Sequence, residues 1–203
     1  MVRDGYKFVA PPLVLGVAAW FAGWSAVCVL LLLVAAFVVY FFRDPERVPP
    51  ADPAVVVSPA DGRVMEIASE PCDGRSGQRI SIFLAVWNVH VNRSPMAGRF
   101  LQVEYRPGKF YAAMRSRASV ENEQNVIHVE TERGVIVFKQ IAGWIARRVV
   151  CWKSPGDVVS IGERIGMIRF GSRTDVWLPD GVEILARPGQ RVVGGVTVLA
   201  RWP

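Results

Sequence analysis

The sequence predicts an all-β domain preceded by an N-terminal transmembrane helical segment. Three observations lead there. Residues 13–42 carry no charge and are dominated by Leu, Val, Ala and aromatic side chains, the composition of a bilayer segment. Further along, the apolar residues recur with period two rather than 3.6, in runs rich in β-branched side chains. Finally, 203 residues is a one-domain length, and 51% hydrophobic is high for a soluble chain of that size. The excess lies in the N-terminal run.

That run sets the first boundary, an anchor over residues 1–42. As one helix, residues 13–42 would be about 45 Å long, against a hydrocarbon core of roughly 30 Å, so a tilted span and a hairpin both satisfy the length. Gly23-Trp24-Ser25 offers a break. Arg3 and Lys7 before the run, with Arg43 and Arg47 after it, favour the hairpin with both ends in the cytoplasm. The location expected is therefore the inner membrane, with the domain on its cytoplasmic face. A cleaved signal peptide does not fit, because the run is too long and ends in the bulky Tyr40-Phe41-Phe42.

Residues 43–53, rich in proline and charge, read as a linker. The domain then spans residues 54–203. Its strand signals include Val55-Val56-Val57, Arg79-Ile80-Ser81-Ile82-Phe83-Leu84, Val126-Ile127-His128-Val129-Glu130 and Val135-Ile136-Val137-Phe138. Only residues 112–117 have a case for helix. Gly156-Asp157-Val158-Val159-Ser160-Ile161-Gly162-Glu163-Arg164-Ile165-Gly166 resembles the hairpins of lipoyl and biotinyl carrier domains, and a looser copy follows at residues 187–195. That resemblance implies a barrel-sandwich hybrid, with internal two-fold similarity and Ser172 on a turn after a strand.

Composition narrows the function. The net charge of +6 and pI near 9.6 come from basic residues scattered among acidic ones, without a stripe or nucleic-acid motif. An anionic bilayer surface is the better partner. Cys28, Cys72 and Cys151 lack metal-like spacing, and His90 and His128 are the only histidines, so no metal site is expected.

The chemistry sits in Gly171-Ser172. A serine after a glycine in a tight turn can attack the preceding carbonyl, shift the acyl group from nitrogen to oxygen, and eliminate, leaving a pyruvoyl group at residue 172. Around it stand Phe41-Phe42-Arg43-Asp44-Pro45-Glu46-Arg47, Ser58-Pro59-Ala60-Asp61-Gly62, Asn88-Val89-His90-Val91-Asn92-Arg93-Ser94-Pro95, Glu121-Asn122-Glu123, and Gln140-Ile141-Ala142-Gly143 with Arg147-Arg148. In that order the set resembles the phosphatidylserine decarboxylase family, in its short single-domain bacterial and archaeal type, from about residue 41 to residue 190. The resemblance implies a zymogen cut between Gly171 and Ser172 into chains 1–171 and 172–203. It also implies a pyruvoyl cofactor that forms a Schiff base with a phospholipid substrate, and decarboxylation of phosphatidylserine. Homo-oligomer formation is left open.

Within that frame His90 is the candidate base and proton donor, and Asp61 the carboxylate that would orient it. Longer family members carry His-x-x-His-x-Pro where this chain has His90-Val91-Asn92-Arg93-Ser94-Pro95, so Arg93 takes the place of the second histidine. In the family the second histidine is usually assigned to self-cleavage and the first to decarboxylation. Here either His90 serves both stages or cleavage uses another base, since arginine stays protonated. Arg93, Arg147, Arg148 and Arg173 are candidates for the lipid phosphate, and Phe83, Trp87 and Phe170 for an apolar pocket around the substrate carboxylate. The rival reading is a membrane-anchored carrier or adaptor without catalysis. The candidate hairpins lack a modifiable lysine, and an adaptor leaves the Gly171-Ser172 context unexplained.

Overall fold

The computed structural model describes residues 1–115, 117–144, 148–169 and 171–203. It divides into two compact units, residues 1–46 and 47–203, a division inside the segment read as a linker.

In the first unit the uncharged run forms two helices, α1 (Tyr6–Phe21) and α2 (Ser25–Phe41). The chain breaks at Gly23, whose φ of +76° suits a residue without a side chain. At 1.5 Å per residue the helices are about 24 and 26 Å long, short of a roughly 30 Å hydrocarbon core. Among the described residues no helix is long and apolar enough to cross a membrane, which corrects the expected transmembrane segment. The open end of the pair is closed by a 3-10 turn (Arg3–Gly5). There the Val2 N–H donates to Phe42 O at 3.0 Å, and Phe8 stacks on Phe42 with centroids 5.4 Å apart.

The second unit is mostly β, as the period-two runs require, but its architecture corrects the expected barrel-sandwich hybrid. Its core is one antiparallel eight-stranded sheet curled into a half-barrel. In spatial order the strands are β13 (Arg191–Val192), β2 (Gly62–Ser69), β3 (Gly77–Leu84), β11 (Ser172–Pro179), β7 (Gly134–Ile141), β6 (Gln124–Thr131), β5 (Gly98–Arg106) and β9 (Val158–Val159). Two three-stranded sheets complete it. One joins β1 (Val55–Val57), β14 (Val198–Arg201) and β12 (Glu183–Ile184); the other joins β4 (Val91–Arg93), β10 (Arg164–Ile168) and β8 (Val149–Cys151).

The carrier-like pattern fails because its strands separate. β9 pairs with β5 in the large sheet, whereas β10 pairs with β4 and β8 in a small one. The looser copy supplies β13 at the sheet edge against β2. One helical turn, α3 (Ala118–Glu121), follows the stretch expected to be helical, where hydrogen bonds from Arg115 N to Ala112 O and from Ala118 N to Arg115 O close successive turns instead.

Alternation along the strands builds the core. Ile80, Ile82 and Leu84 of β3 pack with Ile127, Val129, Ile136, Phe138, Val176 and Leu178, and Phe100 meets Phe138 edge-on at 6.2 Å. Because Val176 and Leu178 face this interior, Ser172 and Thr174 share their side of β11. Arg173, Asp175 and Trp177 face the other side.

Candidate active site

Strand pairing brings the chemistry together. β10 runs antiparallel to β4, with Met167 opposite Val91, and the Ile168 N–H donates to His90 O at 3.2 Å. The chain therefore leaves β10 beside His90, turns through Gly171 at φ +65°, and enters β11 at Ser172. A positive φ of that size favours glycine. On its other side Ser172 is in register with Leu84, the last residue of β3.

His90 is fully buried. Its Nδ1 lies 2.9 Å from Asn88 O, and the Gly171 N–H donates to its Nε2 at 3.3 Å. A carbonyl only accepts, so Nδ1 carries the proton and Nε2 the lone pair. That lone pair faces the backbone of the residue whose carbonyl would be attacked.

Ser172 is also fully buried, and among the described residues its Oγ has no hydrogen-bond partner. Buried hydroxyls are nearly always satisfied, so this one calls for an explanation. Among the other buried polar atoms without a partner in the described residues are Thr174 Oγ1, two residues along the same face, and Asn92 Nδ2. Asn92 Oδ1 accepts from Gln140 Nε2 at 2.9 Å, Gln140 Oε1 accepts from Asn125 Nδ2 at 2.8 Å, and Gln140 stands opposite Thr174. The interior of the half-barrel thus has a polar end around Ser172 and an apolar remainder.

The Gln140-Ile141-Ala142-Gly143 motif now has a physical role. A Cβ on Gly143 would lie 2.0 Å from Gly171 O and 3.0 Å from Gly171 C, so the carbonyl rests on a residue that must lack a side chain. Asn122 holds that segment, donating from Nδ2 to Ala142 O at 2.7 Å and to Tyr111 O at 2.8 Å. Ala142 N–H donates to Glu123 O at 2.9 Å, which gives Asn122 and Glu123 of the Glu121-Asn122-Glu123 motif their role.

Asp61 accepts from the Gly194 N–H at 2.8 Å and pairs with Arg47 at 3.1 Å. Arg93 approaches the same turn, since a Cβ on Gly195 would meet Arg93 Cδ at 2.7 Å, and it donates from Nη1 to Gly162 O at 3.0 Å. These two candidates share the Gly194-Gly195 turn, while His90 and Ser172 share the Gly171 turn. Arg148 is exposed on a loop, and Arg147 and Phe170 lie outside the described residues. Trp87 is exposed and Phe83 half-buried.

Arg173 is buried in a different setting. It donates from Nε to Asp175 Oδ1 at 2.6 Å and from Nη2 to Ser81 Oγ at 2.8 Å, and Ser119 Oγ donates to Asp175 Oδ2 at 2.8 Å. Arg79 joins from β3 through Ser81, with Glu70 at 2.5 Å and Asp175 at 3.9 Å. This network clamps β3, β11 and α3 behind the Gly171 turn.

Burial is the largest influence on the Cys72 and Cys151 thiols, and both are pushed up from their ordinary value, which disfavours the thiolate. Sequence reasoning passed over Asn92 and Thr174. Each stands two residues from a group it had chosen, His90 and Ser172, and the period of a strand puts such neighbours on one face.

The sequence matches the phosphatidylserine decarboxylase family over residues 34–200. It is 52% identical over 183 residues to a phosphatidylserine decarboxylase proenzyme of Solibacter usitatus, covering 90% of this chain and 87% of that protein. Proteins of the same name from Symbiobacterium thermophilum and Geotalea uraniireducens are 46% and 45% identical, each over 100% of this chain and over 96% and 97% of their own lengths.

Proposed function

This chain belongs to the phosphatidylserine decarboxylase family, and on that premise we propose that it cuts itself between Gly171 and Ser172 and then decarboxylates phosphatidylserine to phosphatidylethanolamine. One observation carries the reading: the buried, partnerless Ser172 Oγ beside a side-chain-free Gly171 at φ +65°.

Self-cleavage begins when Ser172 Oγ attacks the Gly171 carbonyl carbon. The new C–O bond replaces the C–N bond, and the hydroxyl proton ends on the freed amine. We assign that transfer to His90, supported by an Nε2 whose lone pair is fixed by the Nδ1–H bond to Asn88 O. Arg93 stays protonated and cannot take that part. Removal of the Ser172 α-proton then expels the Gly171 carboxylate, and hydrolysis with loss of ammonia leaves a pyruvoyl group heading the chain 172–203.

The residues fit that group: a glycine turn, a buried serine at a strand start and, among the described residues, no competing partner for its oxygen. The pyruvoyl carbonyl would supply an acceptor for the electron pair left as carbon dioxide departs. His90 then holds at Nε2 the proton that returns to the substrate α-carbon. We assign Asp61 to holding the Gly194 turn and Arg47. We take the cytoplasmic face of the inner membrane as the working place, supported by the exposed Trp20, Phe21 and Trp24 of the helical pair.

Intact mass spectrometry with a carbon dioxide release assay tests the reading. The wild type should give fragments 1–171 and 172–203, the second blocked by pyruvoyl. Ser172→Ala should give one uncut, inactive chain. A cut or active alanine variant overturns the proposal.

A further inference from the structure

The outer face of the sheet carries a second feature beside the Gly171 turn. Strand registers place Arg191 opposite Arg63, Arg63 opposite Phe83, and Phe83 opposite Arg173, the neighbour of Ser172. Arg63 and Arg191 are exposed and, among the described residues, neither meets a carboxylate. Like charges in direct cross-strand register repel, so two partnerless guanidinium groups side by side are poised for a shared anion. They flank a cleft of about 440 Å³ whose floor includes Gly62 and Phe83 and whose wall is formed by Trp87 and Asn88.

That wall ties the cleft to the reacting centre. The 85–88 turn follows Leu84 directly and is closed by hydrogen bonds from Asn88 N to Ala85 O and from Ala85 N to Asn88 Oδ1, 2.9 and 2.8 Å. Its Asn88 carbonyl holds His90 Nδ1. Two inter-strand steps, roughly 10 Å, separate β2 from β11. Residue 172 opens β11 and its side chain faces inward, so a headgroup seated on the outer face reaches it around the strand end, past the 85–88 turn.

We propose that Arg63 and Arg191 seat the phosphate of the substrate headgroup, a role that rests on the decarboxylase reading. Two guanidinium forks match the oxygens of a phosphodiester, and the exposed Trp87 indole offers an apolar side to the glycerol end of the lipid. Phosphate held there anchors the headgroup while its amino-acid end reaches residue 172. This is remote binding that positions the reacting atoms.

The test uses the full chain and the double variant Arg63→Ala/Arg191→Ala, with Arg75→Ala/Arg99→Ala as an exposed control of equal charge. Substrates are phosphatidylserine in mixed micelles and soluble glycerophosphoserine, with inorganic phosphate as competitor. Both variants should self-cleave completely, as the wild type does. The Arg63/Arg191 variant should raise KM about tenfold or more on both substrates, the loss expected when charged hydrogen bonds are removed, with kcat little changed. The control should match the wild type.

An unchanged KM on both substrates overturns the proposal. So does a rise confined to micelles, which would mean attraction to the lipid surface, or loss of phosphate inhibition alone, which would mean a free-phosphate site. An uncut or inactive wild type would instead overturn the decarboxylase reading, and the phosphate seat with it.

Discussion

Replacing Gly143 by alanine tests whether the scissile carbonyl needs the place it occupies. The added Cβ would sit 2.0 Å from Gly171 O, about 1.4 Å inside the 3.4 Å at which ordinary contact begins. Both atoms belong to backbone on strand-flanking turns, so no flexible side-chain end can yield. One turn must move by about an ångström, at an overpacking cost of about 1–3 kcal/mol. A displacement of that size at a reacting carbonyl costs about a hundredfold in rate. The assay is a time course of fragment formation by intact mass, read with Tm. Gly98→Ala is the control, since its Cβ would lie 2.3 Å from Glu130 O, a comparable clash elsewhere in the sheet. Gly143→Ala should mature about a hundredfold more slowly, and Gly98→Ala should lose stability but mature normally. Wild-type maturation of Gly143→Ala, or equal slowing by both, refutes the reasoning.

Further outcomes follow from neighbouring contacts. Asp175→Asn leaves the Arg173 guanidinium buried without its charge partner, so unfolding should cost about 3 kcal/mol less and Tm should fall by roughly 6–12 °C; calorimetry reads it. Asp61→Asn removes the charge facing Arg47 while still able to accept from the Gly194 N–H; slowed maturation is expected, and a normal cleavage rate removes Asp61 from the mechanism. Burial raises the Glu163 carboxyl, but the hydrogen bonds from Lys153 Nζ at 2.6 Å and Ser160 N–H at 2.8 Å outweigh it and leave it below its ordinary value. A lowered folded-state value contributes stability that is present above the unfolded value and lost as pH falls through the folded one. Urea midpoints across the acid range should therefore fall less steeply in Glu163→Gln than in the wild type.

The parts of this molecule legible in sequence are those where chemistry demands a residue type at a fixed spacing. Gly171-Ser172 could be singled out because the acyl shift needs both residues adjacent, and the strands at 79–84, 126–130 and 135–138 because β-branched runs announce themselves. The sheet order could not be read, since β9 and β13 are two residues long and are fixed by their partners rather than by local pattern. Over residues 13–42 hydropathy reported composition and Gly23-Trp24-Ser25 marked the break that divides the run into two helices, but neither showed that, among the described residues, no helix would be long and apolar enough to cross a membrane. Gly143 stood in the Gln140-Ile141-Ala142-Gly143 motif, but its role could not be read there, because its constraint is a carbonyl nearly thirty residues away.

β11 shows how the scaffold and the chemistry divide one strand. Its outer face carries Arg173 and Asp175, locked to Ser81, Arg79 and Ser119, and its inner face carries Ser172 and Thr174, whose hydroxyls have no partner among the described residues. An orphan buried hydroxyl is costly, and a strand end free to shift would relieve it by finding an acceptor. The ion-pair network removes that freedom, since moving Ser172 means moving Arg173 in the same backbone. The buried charges are therefore best understood as fixing position. Held from behind by Asp175 and from the side by Leu84, Ser172 is denied alternatives to the carbonyl that Gly143 leaves room for.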